Sequence, residues 1–332
     1  MNKPYIHRQA AHCETGMTAN LIHNRGFEIS ESLVLGIGGG IFFGYFPFIK
    51  INALPLVSYR IMPFAIFKRT TKRLGLQYKR KSFSNQELAM KEMDSLLEKG
   101  IPVGSQVGVF WLPFFPPALR FHFNAHFIVV YGKKGDDYLI SDPVFENPVT
   151  CPHNDLKKAR FAPGMGTPKG KMHYLLNTPD PSLVKNGVIA GIKDVCKNMS
   201  APFPLIGVKG IQYLAKQLRQ WPNKFDQTVL NSHMSQIIRT QEEIGTGGSG
   251  FRYVYAKFLQ EAAEILNNDK FLKLSEQMTA VGDLWREVAL GAARQIKGRA
   301  NAEHSCEKLS EILMECAARE SEIYQQLKKL VV

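Results

Sequence analysis

The chain has 332 residues, of which 45% are hydrophobic and 21% are charged, so it has the composition of a globular protein and the length for two domains with separate cores. Its formal net charge is +13, but basic and aromatic residues do not alternate as in RNA-binding proteins and no zinc-finger spacing occurs, which argues against a nucleic-acid partner. Five cysteines without a CxxC pair exclude a zinc ribbon and a dense disulfide framework, so no metal site is expected.

The first predicted element is a short helix over residues 13–25, which begins at Cys13 and ends before Gly26. The segment before it lacks the apolar core of a secretory signal, so we expect a cytoplasmic protein. A cysteine at a helix N-terminus gains partial stabilisation of its thiolate from the unpaired backbone N–H groups there. Because free cysteines are more often buried and inert, Cys13 by itself does not indicate catalysis.

A glycine-rich apolar segment, LVLGIGGGIFFGYFPFI, covers residues 33–49. It has 17 residues with five glycines and a proline, which is short for a helix that spans a membrane. We expect a buried segment that lines a core or an acyl pocket. Peripheral contact with a membrane stays open as an alternative.

A basic run extends from Arg60 to Lys81, with eight basic residues and no acidic one. Such a run is often a solvated face, or it attracts an acidic partner such as an anionic membrane surface or an acidic carrier protein. The candidate docking residues for a carrier protein are Arg69, Lys72, Arg73, Lys79, Arg80 and Lys81.

Residues 84–99 predict an amphipathic helix, with Ser84 as its N-cap and Gly100 after its last turn. Strand-like runs follow at PVGSQVGVFWL, AHFIVVYG and DYLISDP, and the last two are joined by KKGD, which is a hairpin signal. Residues 1–148 are therefore expected to form an α+β domain with a small antiparallel sheet.

Residues 149–180 are rich in proline, glycine and lysine, which predicts a linker or an arm packed between domains. Residues 181–332 show helical spacing of apolar side chains throughout and predict an all-helical domain. Within it, the segment IGTGGSGFR (residues 244–252) lacks the lysine of a P-loop and follows no strand. A tight turn between helices is therefore expected there rather than a phosphate site.

The hairpin carries the most informative pair of side chains. If it is centred on Lys134, His126 lies directly opposite Asp142 on one face, where a carboxylate can orient an imidazole and stabilise its protonated form. A slip of one residue would put the two on opposite faces. Each residue alone has a commoner structural explanation, as a core histidine or a turn aspartate. Together with Cys13 they follow the chain order of papain-like hydrolases.

A cysteine nucleophile also needs hydrogen-bond donors for the oxyanion of the tetrahedral intermediate. The backbone N–H of Cys13 is a natural donor, because it lies at the N-terminus of the predicted helix. Spacing does not single out a second donor. The candidates are His7, Gln9, His12 and Thr15.

The segment HCETGMTANLIHNRGFEISESLVLGIGGGIFFGY resembles the N-terminal domain of the butirosin-biosynthesis protein H family, and FNAHFIVVYG and LISDP fit the same pattern. The downstream segment IGTGGSGFRYVYAKFLQEAA resembles the signature of the helical domain that often follows. The resemblance implies a papain-like fold and acyl transfer from an acyl carrier protein thioester. It implies Cys13 as the nucleophile, His126 as the general base and acid, and Asp142 as the orienting carboxylate. The only cofactor that it implies is the phosphopantetheine carried by the substrate.

Apolar and aromatic residues crowd the expected site, whereas the family's named member is similar to an acyltransferase that acts on a polar aminoglycoside. A core with a loop would give the same composition. The functional interpretation is a hydrophobic channel for a long acyl, aryl or polyene chain. The candidate pocket residues are Phe42, Phe43, Tyr45, Trp111, Phe114 and Phe115.

The sequence thus predicts a cysteine acyltransferase of a secondary-metabolite or lipid pathway, which moves a hydrophobic acyl chain onto an alcohol or amine acceptor. One alternative is a thioesterase or cysteine peptidase with the same three residues. Another is a non-catalytic scaffold that binds lipid or a carrier protein. The helical domain is expected to serve the acceptor or to form a homodimer interface.

Overall fold

The computed structural model describes residues 4–51 and 53–331, which form two compact units. Unit 1 holds the described residues up to Val34 together with Ile66–Leu183. Unit 2 holds Leu35–Ala65 together with the described residues from Val184 onwards. The N-terminal half of the chain therefore contributes to both units.

The secondary structure follows a mixed order along the chain. The helices are α1 (Cys13–His23), α2 (Glu31–Ile37), α3 (Ala65–Arg73), α4 (Gln86–Glu98), α5 (His153–Arg160), α6 (Val184–Met199), α7 (Gly207–Lys224), α8 (Gln227–Ile238), α9 (Arg252–Leu266), α10 (Lys270–Ile296) and α11 (Cys306–Leu330). The strands are β1 (Ile41–Ile51), β2 (Leu54–Arg60), β3 (Tyr78–Lys81), β4 (Val103–Val107), β5 (His126–Lys134), β6 (Asp137–Ser141), β7 (Val149–Pro152) and β8 (Met172–Leu175).

Unit 1 is built on a six-stranded sheet in the order β3-β8-β4-β5-β6-β7, with antiparallel neighbours. The prediction of a linker over residues 149–180 is wrong, because these residues form β7, α5 and the interior strand β8. Each of these strands has only four residues, which is too short for a clear alternation of apolar and polar side chains. The α+β class of this half of the chain is confirmed.

Two layers of side chains cover the sheet of unit 1. One face packs against apolar residues of α4 and α5, among them Met90, Met93 and Leu156. On the other face, Met17 of α1 contacts His173 of β8. The N-cap of α4 lies one residue later than predicted, since the side chain of Asn85 rather than Ser84 accepts the N–H of Leu88 at 3.0 Å.

Unit 2 contains α6 to α11, so the C-terminal region is helical as predicted. It also contains the β1–β2 hairpin, which the sequence placed in the first domain. Phe43 of β1 and Tyr59 of β2 pack on Trp285 of α10, with ring centroids 5.6 and 5.5 Å from the indole. The burial of the glycine-rich segment was predictable, but its packing partner lies more than 200 residues away.

The glycine-rich turn before α9 forms a tight left-handed connection, as the sequence predicts. Residues 247–251 all have positive φ, and a Cβ on Gly250 would lie 2.1 Å from the ring of Tyr59. The N–H of Ser249 donates to the carboxylate of Glu242 at 3.0 Å. A side chain of the protein itself therefore binds the backbone donor that a phosphate would need. Arg252 is fully buried in an ion pair with Glu320 at 3.0 Å.

None of the helices in the described ranges is both long enough and apolar enough to cross a membrane.

Candidate active site

Cys13 is the first residue of α1 and has 7% of its surface exposed. His12, in extended conformation, caps the helix, and its Nδ1 accepts the N–H of Thr15 at 3.3 Å. The thiol therefore lies where the first N–H groups of a helix create a positive potential, which stabilises a thiolate. Its Sγ is 4.0 Å from the carbonyl oxygen of Ala125, which directly precedes β5.

His126 is the first residue of β5 and is buried. Its Nε2 lies 2.7 Å from Oδ2 of Asp142, and its side chain also hydrogen-bonds with Cys13. Since Nε2 is engaged by the carboxylate, Nδ1 is the ring nitrogen left for the thiol. Burial lowers the pKa of His126, but the charge and hydrogen bond of Asp142, with smaller effects of Cys13, raise it to about 10. The ring is thus held as an imidazolium at neutral pH.

Asp142 follows the last residue of β6 and is fully buried. Besides the imidazole, it accepts the N–H of Val144 at 3.2 Å through Oδ1. The carboxylate is therefore held from both of its oxygens. The backbone that holds this carboxylate is the turn after β6 and not the strand itself.

The predicted contact between His126 and Asp142 forms, but the predicted register is wrong. The turn lies at residues 135–136, with Lys134 facing Asp137, and the register shifts once between Val130 and Gly132. Continued beyond Ser141, the pairing puts Asp142 opposite Ile128, two positions from His126. A shift of two preserves the face of the sheet, so the side chains meet diagonally instead of directly.

The aromatic candidates separate between the two units. The ring of Phe115 packs edge-on against His126 at 5.5 Å, and Phe114 and Phe145 join it. Trp111 lines a groove of about 400 Å³ with Phe110, Pro113, Pro117, Arg120, Asp155 and Lys158.

The other three candidates lie on β1 in unit 2, where the contacts found are with that unit's own aromatic residues. Phe43 is buried against Tyr59 and Trp285, which makes it a core residue, and Tyr45 packs against Tyr213. Phe42 is half-buried beside Phe43 on the same strand. Phe115 therefore contacts the histidine and Phe114 packs against Phe115, whereas the ring contacts of Phe43 and Tyr45 lie within unit 2.

The side chains proposed as oxyanion donors are engaged elsewhere. His7 bridges Oγ of Ser141 at 2.7 Å and the carbonyl of Phe145 at 3.0 Å, on either side of Asp142. Gln9 is exposed, and its amide is 3.5 Å from the carbonyl of Val144.

His12 and Thr15 belong to the cap of α1. The hydroxyl of Thr15 donates to Oε1 of Glu31 at 2.7 Å, and the His12 ring is the helix cap. In the described part of the chain, the backbone N–H of Cys13 meets no acceptor. It therefore remains a candidate oxyanion donor beside the thiol.

Glu31, the first residue of α2, is the group that sequence reasoning missed. Its carboxylate accepts the backbone N–H groups of Ala11 and His12, at 2.8 and 2.7 Å, and the Thr15 hydroxyl. One sequence feature could have pointed to it: Glu31 lies in the segment that resembles the family and begins a helix. That position alone is equally typical of an ordinary first-turn acid.

The basic candidates lie on α3 and on β3, an edge strand of the sheet. Lys72, Lys79 and Arg80 are exposed, and Arg69 and Arg73 are half-buried. Lys81 forms an ion pair with Glu92. Burial lowers the pKa of Lys171, and the charges of Arg80 and Lys169 lower it further, which marks a concentration of positive charge beside β3.

Over the described residues, no three His, Cys, Asp or Glu side chains converge in a way that would hold a metal ion. The candidate site therefore consists of a thiol, an imidazolium and a carboxylate. A helix that begins with a cysteine and packs on an antiparallel sheet that carries a histidine and an acid is the architecture of papain-like cysteine enzymes. That is the class which fold and site define.

Residues 12–143 match the family described as butirosin biosynthesis protein H, N-terminal, so the resemblance inferred from the sequence is confirmed. Residues 154–327, more than half of the chain, match a domain of unknown function, DUF4872. The chain belongs to the family in which an N-terminal domain of the butirosin biosynthesis protein H type is followed by a DUF4872 domain.

Among solved structures, the chain is similar to a protein described as a C39-like peptidase from Bacillus anthracis. The two share 12% sequence identity with a TM-score of 0.38, over 54% of this chain and 96% of that chain. No curated protein matches the chain in sequence.

Proposed function

We propose that the protein is a cysteine acyltransferase that takes a hydrophobic acyl chain from an acyl carrier protein thioester and passes it to an amine or alcohol through an acyl-Cys13 intermediate. The observation that carries the proposal is the buried series Cys13, His126 and Asp142, in which the imidazole contacts both the thiol and the carboxylate. Family membership supports acyl transfer as the reaction type.

In the first half-reaction, the Cys13 thiolate attacks the thioester carbonyl, and the carbonyl π electrons move to oxygen. The backbone N–H of Cys13 stabilises this oxyanion. When the intermediate collapses, the bond between the carbonyl carbon and the carrier sulfur breaks. The imidazolium of His126 gives its proton to the leaving thiolate, and acyl-Cys13 and neutral His126 remain.

In the second half-reaction, an amine or hydroxyl acceptor attacks acyl-Cys13 while His126 takes its proton. Collapse of the second tetrahedral intermediate expels the Cys13 thiolate and restores the imidazolium beside Asp142. Exchange between two thioesters is nearly isoenergetic, whereas formation of an amide or an ester from a thioester is downhill. The second half-reaction therefore drives the sequence.

The surroundings of His126 suit an apolar acyl chain. Phe115 packs on the imidazole, and Phe114 and Phe145 extend the aromatic surface away from it. Such a surface binds an alkyl or aryl chain by removing it from water and contributes about 25 cal/mol per Å² of apolar area buried. We propose that this surface, rather than β1, contacts the acyl chain.

The proposed donor is a cytoplasmic acyl carrier protein, and the basic residues of α3 and β3 suit its acidic surface and phosphodiester. Lys72, Lys79 and Arg80 offer exposed cations for that contact. Electrostatic complementarity of this kind chiefly raises the association rate and falls with ionic strength. The same acyl chain on pantetheine alone is therefore expected to react more slowly at low concentration.

The test is intact-mass spectrometry of the purified protein after incubation with acyl carrier proteins that bear fatty or aryl acyl groups. We expect one acyl group on the wild-type protein, none on Cys13→Ala, and loss of the adduct when an amine or alcohol acceptor is added. Cys306→Ala is the matched control, because Cys306 is also a buried first residue of a helix.

Three outcomes would contradict the proposal. Discharge of the adduct by water at the same rate with or without acceptors would indicate a thioesterase. Cleavage of peptides without any thioester-derived adduct would indicate a peptidase. An unchanged adduct on Cys13→Ala would exclude this cysteine as the nucleophile.

A further inference from the structure

The carboxylate of Glu31 gathers donors from both sides of Cys13 in the sequence. Oε2 accepts the N–H of Ala11 at 2.8 Å, and Oε1 accepts the N–H of His12 at 2.7 Å. Oε1 also accepts the hydroxyl of Thr15 at 2.7 Å. Two donors precede the nucleophile and one follows it, so the turn into α1 is held on both sides of Cys13.

This arrangement decides which donor stays available at the start of α1. The N–H groups of Ala11 and His12 point to Glu31, and that of Thr15 points to the His12 ring. The N–H of Cys13, which as the first of the helix has no partner within it, meets no acceptor among the residues that the structure describes. It is therefore a donor of this turn that a developing oxyanion can use.

The buried carboxylate of Glu31 lowers the stability of the folded protein. Burial raises its pKa, and the hydrogen bonds from Ala11, Thr15 and His12 offset that effect only in part. The ionised carboxylate is therefore less favourable in the folded chain than in the unfolded one. The carboxylate thus fixes the geometry of the turn through three hydrogen bonds, at a cost in stability.

We propose that Glu31 is a positioning residue for acyl transfer: by holding the amides of residues 11 and 12, it directs the free N–H of Cys13 at the oxyanion of the tetrahedral intermediate. The inference rests on the proposed function, since only attack on a carbonyl creates that oxyanion.

The test compares two reactions of the same thiol in Glu31→Gln. Acylation by a carrier-protein thioester forms an oxyanion, whereas alkylation by iodoacetamide displaces iodide at carbon and forms none. The substitution keeps the size of the side chain but turns one of the two acceptor oxygens into a donor. We expect acylation to slow by about 10²- to 10³-fold, with alkylation within about threefold of wild type.

Two further variants keep the outcome interpretable. Glu28→Gln is the matched control, because Glu28 is an exposed glutamate three residues away and pairs with Arg8; both of its rates should stay at the wild-type level. Thr15→Val removes one of the three donors that fix the Glu31 carboxylate and leaves both amides on it, so acylation should show a smaller selective loss, of about tenfold. If Glu31→Gln does not fold, Thr15→Val tests the inference in its place.

Equal loss of both reactions in a folded Glu31→Gln protein would overturn the inference, because Glu31 would then merely support the thiol. Wild-type acylation by the variant would overturn it as well, and either result would leave the acyl-enzyme itself intact. If wild-type protein forms no adduct with any thioester, the proposed function fails first and the inference fails with it.

Discussion

Cys13 in unit 1 and Cys306 in unit 2 occupy the same local position. Each is the first residue of an α-helix, each helix has a side-chain N-cap, and the two side chains are 7% and 6% exposed. Their partners differ. Cys13 hydrogen-bonds with His126, whereas Cys306 lies 3.7 Å from the amide oxygen of Gln295. Burial raises the pKa of Cys306.

A helix N-terminus is not sufficient by itself to activate a cysteine. A helix end contributes on the order of 1 kcal/mol, which a buried, neutral environment easily cancels. What distinguishes Cys13 is an imidazolium held in place by Asp142, a buried carboxylate. Substitutions that remove this difference are expected to slow acylation, most strongly at the imidazole and less at the carboxylate.

Removal of the imidazole should make Cys13 behave like Cys306. In His126→Leu we expect acylation of Cys13 to fall by about 10²- to 10⁴-fold, because the proton donor and acceptor is lost. Alkylation by iodoacetamide at neutral pH should fall to the level of Cys306, read by peptide mass spectrometry. The matched control is His173→Leu, since His173 is also a buried histidine of this sheet but contacts Met17. Wild-type alkylation in His126→Leu would contradict the comparison.

Removal of the carboxylate charge should have a smaller effect. An asparagine side chain can still accept a hydrogen bond from the imidazole, so Asp142→Asn is expected to slow acylation by about 10- to 100-fold, the difference between a charged and a neutral hydrogen-bond partner. The pKa of His126, about 10 with Asp142 in place, should fall, and an NMR titration of the ring measures the change. An unchanged pKa would mean that Asp142 does not hold the proton on the ring.

The two buried histidines should give opposite pH dependences of stability. The pKa of His126 rises from 6.5 to about 10, so its contribution is complete below pH 6.5 and is lost as the pH rises through about 10. Burial and the charge of Arg80 lower the pKa of His173 to about 3, so its contribution is present above pH 6.5 and is lost as the pH falls towards 3. Each loss is about 1.4 kcal/mol per pH unit within its window.

Urea unfolding of wild type and the two leucine variants at acid, neutral and alkaline pH checks these signs. His173→Leu should weaken the dependence on the acid side only, and His126→Leu should weaken it on the alkaline side only. If both variants change the same side, the assignment of charge to the two rings is wrong.

Local sequence patterns were sufficient for much of the fold. Apolar periodicity predicts that the C-terminal region is helical, and its longest helix, α10, spans Lys270–Ile296. Helix α1 begins at Cys13, as predicted. These features depend on residues within one or two turns of each other, so a local sequence pattern can predict them.

Features that depend on distant partners were harder to predict. Strand β8 lies inside the sheet, yet its four residues read as part of a linker. The β1–β2 hairpin belongs to unit 2 because Phe43 and Tyr59 find Trp285 there. Aromatic residues at predicted pocket positions divide between the units for the same reason: hydrophobicity predicts burial without naming the partner.

The candidate site shows the same division. The sequence by itself determined the three candidate side chains, their chain order and the face shared by His126 and Asp142, because a β-strand repeats every two residues. Only the tertiary structure decided the true register of the hairpin and the engagement of His7, His12 and Thr15 in other hydrogen bonds. It also decided the hydrogen bonds that Glu31 accepts from residues on both sides of Cys13. Hydrogen bonds between segments far apart in the chain fix those details, and they exist only once the chain has folded.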